Sequence, residues 1–189
     1  MNLSASQGDF MINNELLRYL VKEGYKWIVD QRNLHIGTAQ ELSEQDKISL
    51  QPYFEPEMLD LAKIDRVDHI ENPPFYSEII KLGIPNLINF TQMDGISFID
   101  CILISCQKSH TPQSWISLLF HEMVHIVQYE LLGAKRFADC YVKGWVQNSF
   151  NYERIPLERQ AYSLQRQYDQ GGNVFSVVQL LNQQLGCGG

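Results

Sequence analysis

The chain predicts an α+β fold, mostly helical with a small β-sheet, on three observations. Its second half is a succession of helical-period segments separated by Gly and Pro. One stretch, Gly95 to Ser105, is dense in β-branched and aromatic residues and has the composition of a strand. Between them, His121-Glu122-Met123-Val124-His125 forms an HExxH pattern inside a long apolar helical run. On a helix, residues i and i+4 share a face, so both imidazoles can meet one Zn²⁺. Glu122, one residue after the first histidine, can reach water activated by that ion. Met123, Val124, Ile126 and Val127 would bury these polar groups, and buried ionisable side chains need partners.

Length and composition bound the rest. At 189 residues and 21.9 kDa, the chain suits a single domain, 1–189, able to bury a core without disulfides or a structural metal. Within it, 1–40 reads as an N-terminal helical scaffold, 41–170 as the catalytic core, and 171–189 as a C-terminal helix and tail. A formal net charge of −7 and a pI near 5.2 provide no basic footprint for nucleic acid. The first twenty residues lack the apolar block of a secretory signal, and no apolar run reaches the roughly 18 to 20 residues that span a bilayer. The expectation is a cytoplasmic protein without membrane partners; export without a signal would leave no mark in the sequence. The 4 Cys show no CxxC spacing, which suits buried free thiols in a reducing compartment.

Taken in order, Asn13 or Asn14 caps a helix running to about Asp30. Segment 35–40 is turn-like, and Ser43 followed by Asp46 starts a helix near Glu44 that ends at Pro52. Leu59 to Val67 reads as an edge strand or an irregular extension. Asp65, Asp68, His69 and Glu71 form an acidic group without a ligand-loop glycine, and read as solvated surface. Phe75 to Leu82 is a small helix stopped by Gly83. Asp94-Gly95 suggests a hairpin turn joining Leu87–Thr91 to the strand Gly95–Ser105, whose edge could pair with an extended peptide.

Thr111-Pro112 starts the HExxH helix, with a capping hydroxyl and a proline where its missing N–H costs nothing, and Gly133 ends it after Leu132. Further helices are expected from Ala134 to about Val146, from Pro156 to about Gln170, and from Asn173 through Leu185, with a loop from Gln147 to Arg154. The terminal Cys187-Gly188-Gly189 is expected to fray.

Catalytic zinc takes three protein ligands and keeps one position for water. Glu153 and Glu158 both follow the helix at a return distance. Glu158 is preferred because it falls in the first turn of a helix, a rigid support, where Ala161 allows close approach; Glu153 is the alternative. Tyr162, at i+4 from Glu158, is the first candidate donor for an oxyanion, ahead of His110, Tyr152 and Arg154, and a core tyrosine is the competing reading. Gln128 shares the histidine face and could orient a ligand.

The block from Leu118 to Tyr162 carries His121-Glu122-x-x-His125-x-x-Gln128, Leu132-Gly133 and Pro156-Leu157-Glu158-x-x-Ala161. It resembles bacterial zincin-like metallopeptidase domains of the gluzincin type, HExxH followed by ExxA, which are largely uncharacterised. Tyr53-Phe54 and Pro73-Pro74 extend the likeness to about 40–170. The resemblance implies one catalytic Zn²⁺ on His121, His125 and Glu158, Glu122 as general base, and Gly95–Ser105 as an edge strand flanking the cleft. The expected activity is hydrolysis of peptide bonds in a peptide or protein substrate. A non-catalytic zinc-binding interaction module is the alternative, and hydrolysis of a non-peptide amide is a third, weaker reading. Oligomeric state has no signature in the sequence.

Overall fold

The computed structural model describes residues 12–184. Asn13 caps α1 (Asn14–His35), its side chain accepting the Leu16 N–H at 2.8 Å. The helix runs five residues past Asp30. Arg32 and His35 in its last turn suit the C-terminal end of the helix dipole, and Arg32 grips Asp100 through two bonds of 2.7 Å. A two-residue strand, β1 (Gln40–Glu41), leads to α2 (Glu44–Leu50), capped by Ser43 as its sequence predicts. Leu59–Val67 departs from expectation. It divides between α3 (Pro56–Leu61), opened by its proline, and β2 (Lys63–Val67). β2 is an interior strand, antiparallel to β1 and parallel to β4. The helix α4 (Tyr76–Lys81) ends before Gly83, whose φ of 73° needs glycine.

Gly95–Ser105 is two strands rather than one. β3 (Gly95–Phe98) and β4 (Cys101–Ser105) form an antiparallel hairpin in which Phe98 faces Cys101 across Ile99-Asp100. Ile99 takes a φ of 63°, a cost of about 1–2 kcal/mol for a side chain with a Cβ. The Arg32 clamp on Asp100 holds that turn in place. The expected hairpin with Leu87–Thr91 does not form. Phe90–Gln92 is a short 3-10 turn, and the Asp94 carbonyl accepts from Ser105, so Gly95 enters the ladder instead of turning the chain. The sheet order is β1-β2-β4-β3, which leaves β3 at an edge and β4 in the interior.

Alternation along β4 splits the core into two layers. Cys101 and Leu103 join Leu20, Trp27, Phe98 and Trp145 on one face; Ile102 and Ile104 join Leu50, Phe120, Val124 and Leu164 on the other. α5 (Pro112–Leu132) has the expected limits, with Thr111 accepting the Ser114 N–H and Gly133 at φ 72° beyond its end. Every residue from Leu119 to Tyr129 is buried. Apolar side chains satisfy most of that circumference, while His121, Glu122, His125 and Gln128 occupy the remainder. α6 (Ala134–Gln147) lies against α1, and a 3-10 turn (Tyr152–Arg154) leads to α7 (Pro156–Asp169), which packs along α5. The last helix, α8 (Val177–Gln184), starts later than expected and buries Val177 and Leu181; Leu185 and the tail 187–189 lie outside the described residues.

Among the described residues no helix is long and apolar enough to cross a membrane. Cys101 is free and buried, Cys106 is free but exposed, and Cys140 is disulfide-bonded, so the expectation of buried free thiols fails at the last two.

Candidate metal centre

The i, i+4 spacing on α5 brings the His121 and His125 rings to 4.9 Å between centroids, with their Nε2 atoms 3.2 Å apart. α7 delivers Glu158 opposite them, its Oε2 lying 3.5 Å from each Nε2. The donor atoms of these three residues all lie within 4.8 Å of one another, and all three residues are buried. Glu153 stays exposed on the 3-10 turn and takes no part in the group.

Two features bring α7 this close. Ala161 is wholly buried between helices. Gly144 of α6 faces Pro156, where an added Cβ would lie 2.6 Å from the proline Cδ, so any larger residue would push away the start of α7 and Glu158 with it. Glycine's lack of a side chain is used here for close approach.

Ligand orientation is set from behind. Gln165 Oε1 lies 3.0 Å from His121 Nδ1, and Gln128 Oε1 lies 2.8 Å from His125 Nδ1. Each glutamine's orientation is fixed at its other end. Gln165 Nε2 donates to the Ser117 carbonyl and hydroxyl, and Gln128 Nε2 donates to the Leu157 carbonyl and to Gln160. Both amide oxygens must therefore accept, both Nδ1 atoms carry hydrogen, and both Nε2 atoms, which offer a lone pair once deprotonated, face inward. Glu158 spends one oxygen on the Tyr141 hydroxyl at 2.8 Å, while Oε2 is buried without a hydrogen-bond partner. Two imidazole Nε2 atoms and an orphaned carboxylate oxygen converge on one point. That donor set fits a first-row divalent cation such as zinc.

The charges agree. Burial alone would raise the Glu158 carboxyl, but His125 and His121 beside it hold it well below the usual carboxylate range. Burial works to lower His125, yet Glu158 carries it up to about 9. Each group thus favours the charged form of the other.

Glu122 sits on the β3 side. Burial raises its carboxyl, against the opposing pull of the two histidines and of Ser97. Ser97 Oγ lies 2.7 Å from Glu122 Oε2 and 3.0 Å from its backbone oxygen. Gly95 makes room, since a Cβ there would stand 3.0 Å from Glu122 Oε1. The strand beside Glu122 is therefore β3 alone, the first part of the expected Gly95–Ser105 edge.

Tyr162 lies against His121, with ring centroids 4.5 Å apart, and borders an outer groove together with Tyr152. Tyr152 also borders an inner cavity with Glu122 and Glu158. Burial and Glu158 push the hydroxyls of Tyr141 and Tyr152 far above 10, so both remain donors. His110 stands near Trp115, 6.4 Å between rings, away from that cavity, and Arg154 is exposed on a separate groove. Sequence reasoning identified Gln128, but missed Ser97, Tyr141 and Gln165. Of these, only Gln165 carries a local signal: it lies seven residues after Glu158, on the same face of α7.

Compared with family profiles, with curated proteins and with solved structures, the chain has no match.

Proposed function

We propose that this chain is a zinc-dependent metallopeptidase of the zincin type, with His121, His125 and Glu158 as the ligands. The observation that carries the reading is the inward convergence of the two fixed Nε2 atoms on Glu158 Oε2, which has no hydrogen-bond partner. When bound there, zinc supplies Lewis acidity, polarising a carbonyl and making water acidic near neutral pH.

Glu122 does the proton work. Its Oε2 is held by Ser97, which leaves Oε1 to take the proton of the attacking water and return it to the departing amine. A carboxyl raised by burial suits both transfers better than a solvated one. Tyr162 or Tyr152 donates to the oxygen on which charge develops. An extended peptide adds to β3, which pairs only with β4 among the described strands.

The test is hydrolysis of a peptide library by zinc-loaded protein beside Glu122→Gln. The expected result is cleavage by the wild type and a loss of about 10²–10⁴-fold in the variant with zinc content unchanged. Zinc bound equally by both, with no cleavage by either, would leave a non-catalytic zinc module in its place.

A further inference from the structure

An open groove runs along the outer side of α7, next to the candidate metal centre. Its volume of about 880 Å³ gives room for a stretch of extended chain rather than for a single ion. Arg159, Tyr162, Ser163 and Arg166 all line it, and their spacing of i, i+3, i+4 and i+7 makes them one stripe of the helix. Tyr162, in the middle of the stripe, has its ring 4.5 Å from that of His121. Tyr152 borders both this groove and the inner cavity lined by Glu122 and Glu158. A chain lying in the groove is therefore led toward the metal ligands.

The charge of the groove runs against that of the molecule, whose formal net charge is −7. Arg159 and Arg166 are exposed, and among the described residues neither guanidinium has an ion pair or a hydrogen bond. Exposed lysines elsewhere are matched, Lys108 by Asp94 and Lys143 by Asp139. Of the residues lining the groove, Glu153 alone brings a carboxylate, against the two guanidiniums. A guanidinium fork fits a carboxylate through two parallel bonds. Seven residues of helix set the two arginines about 10 Å apart along the axis, close to the rise of three extended residues. A run of acidic residues can meet both, where an isolated carboxylate meets one.

We propose that this groove recognises acidic segments of the substrate polypeptide, with Arg159 and Arg166 taking the carboxylates of Asp or Glu residues a few positions away from the bond that is cut. The cut itself rests on the metallopeptidase reading above; the partner rests on charge complementarity. Recognition of this kind places substrate choice on α7, the helix that also carries Glu158.

Binding and cleavage test it separately. Zinc-loaded Glu122→Gln, which keeps the groove and lacks the general base, is titrated with fluorescent peptides that carry a run of Glu, Gln or Lys beside an unchanged core. Anisotropy is read at one ionic strength, because salt screens the attraction of the groove and the repulsion of the whole chain alike. The Glu peptide is expected to bind about tenfold more tightly than the Gln peptide, and the Lys peptide most weakly. Arg159→Gln and Arg166→Gln should each reduce the Glu-to-Gln ratio by about two- to fivefold. Arg159→Lys should keep most of it, and Arg166→Glu should turn the preference toward Lys. Arg18→Gln, at an exposed arginine of α1 outside the groove, should leave the ratio unchanged. Zinc-loaded wild type should cleave the three peptides in the same order.

Equal binding of the three peptides, or a preference untouched by both arginine variants, overturns the groove. Displacement of the Glu peptide by inorganic phosphate as readily as by unlabelled peptide of equal charge also overturns it, in favour of a general anion site. Cleavage in which peptide charge makes no difference overturns it too and leaves the hydrolase reading standing. Arginine-dependent binding of the Glu peptide, without cleavage of any peptide, supports the groove and removes the hydrolase reading.

Discussion

Two groupings of histidine with carboxylate stand on this fold, built from the same residue types to opposite ends. At the end of α1, His35 Nδ1 meets Asp65 Oδ2 at 2.8 Å, and Thr38 donates to the same oxygen at 3.1 Å. Each group there has found its partner within the protein. Between α5 and α7, two imidazoles are turned inward by glutamines, and the carboxylate oxygen they face, 3.5 Å from each Nε2, has no hydrogen-bond partner. The side chains at the first site are 19% and 17% exposed, so water can finish what the protein leaves undone. At the second, His121 and Glu158 are 7% and 5% exposed and water cannot easily help. A self-completing pair is structure; a buried set with an oxygen left over is what the zinc proposal rests on.

That contrast can be broken at several points. The largest effect is expected for His125→Ala, which should reduce zinc affinity by more than the roughly 100-fold typical of losing a supporting hydrogen bond. Glu153→Ala, an exposed neighbour, should leave affinity unchanged in the same titration. Next come Gln128→Leu and Gln165→Leu, which free an imidazole to rotate or change tautomer. Each should weaken zinc by about 10–100-fold, measured by competition with a chromophoric chelator.

Proton competition sharpens the comparison further. Zinc needs the Nε2 lone pair of His125, and Glu158 keeps a proton on that ring up to about 9. Below that pH, uptake must displace the proton, so apparent affinity should fall as pH falls, by about tenfold per unit for one proton released. Calorimetry in buffers of different ionisation enthalpy counts the protons directly; zero released would contradict the assignment. The smallest effect belongs to the other site. Asp65→Asn should cost at most about 1 kcal/mol in denaturant unfolding and should not alter zinc uptake.

Much of the candidate metal site was legible because its parts are local. The i, i+4 histidines, the Thr111-Pro112 start and the Gly133 stop all lie within one helix, and Glu158 and Ala161 within the next. What stayed hidden is what only tertiary packing brings together. Ser97 reaches Glu122 from 25 residues away, and Gln165 reaches His121 from 44. The division of Gly95–Ser105 was hidden for a different reason. Ile99-Asp100 has a turn former only at its second position, and an isoleucine at positive φ reads as strand until the Arg32 clamp on Asp100, 68 residues away, is known. Leu59–Val67 reads as an edge strand or an irregular extension because the parallel partner of β2, β4, comes more than thirty residues later.

The most direct test of the central claim is zinc stoichiometry, by elemental analysis of chelated and reloaded wild type beside Glu158→Ala. The account predicts about one zinc per wild-type chain and its loss in the variant, with both proteins folded by circular dichroism. A wild type that takes up no zinc, or a variant that holds it as tightly, would contradict it.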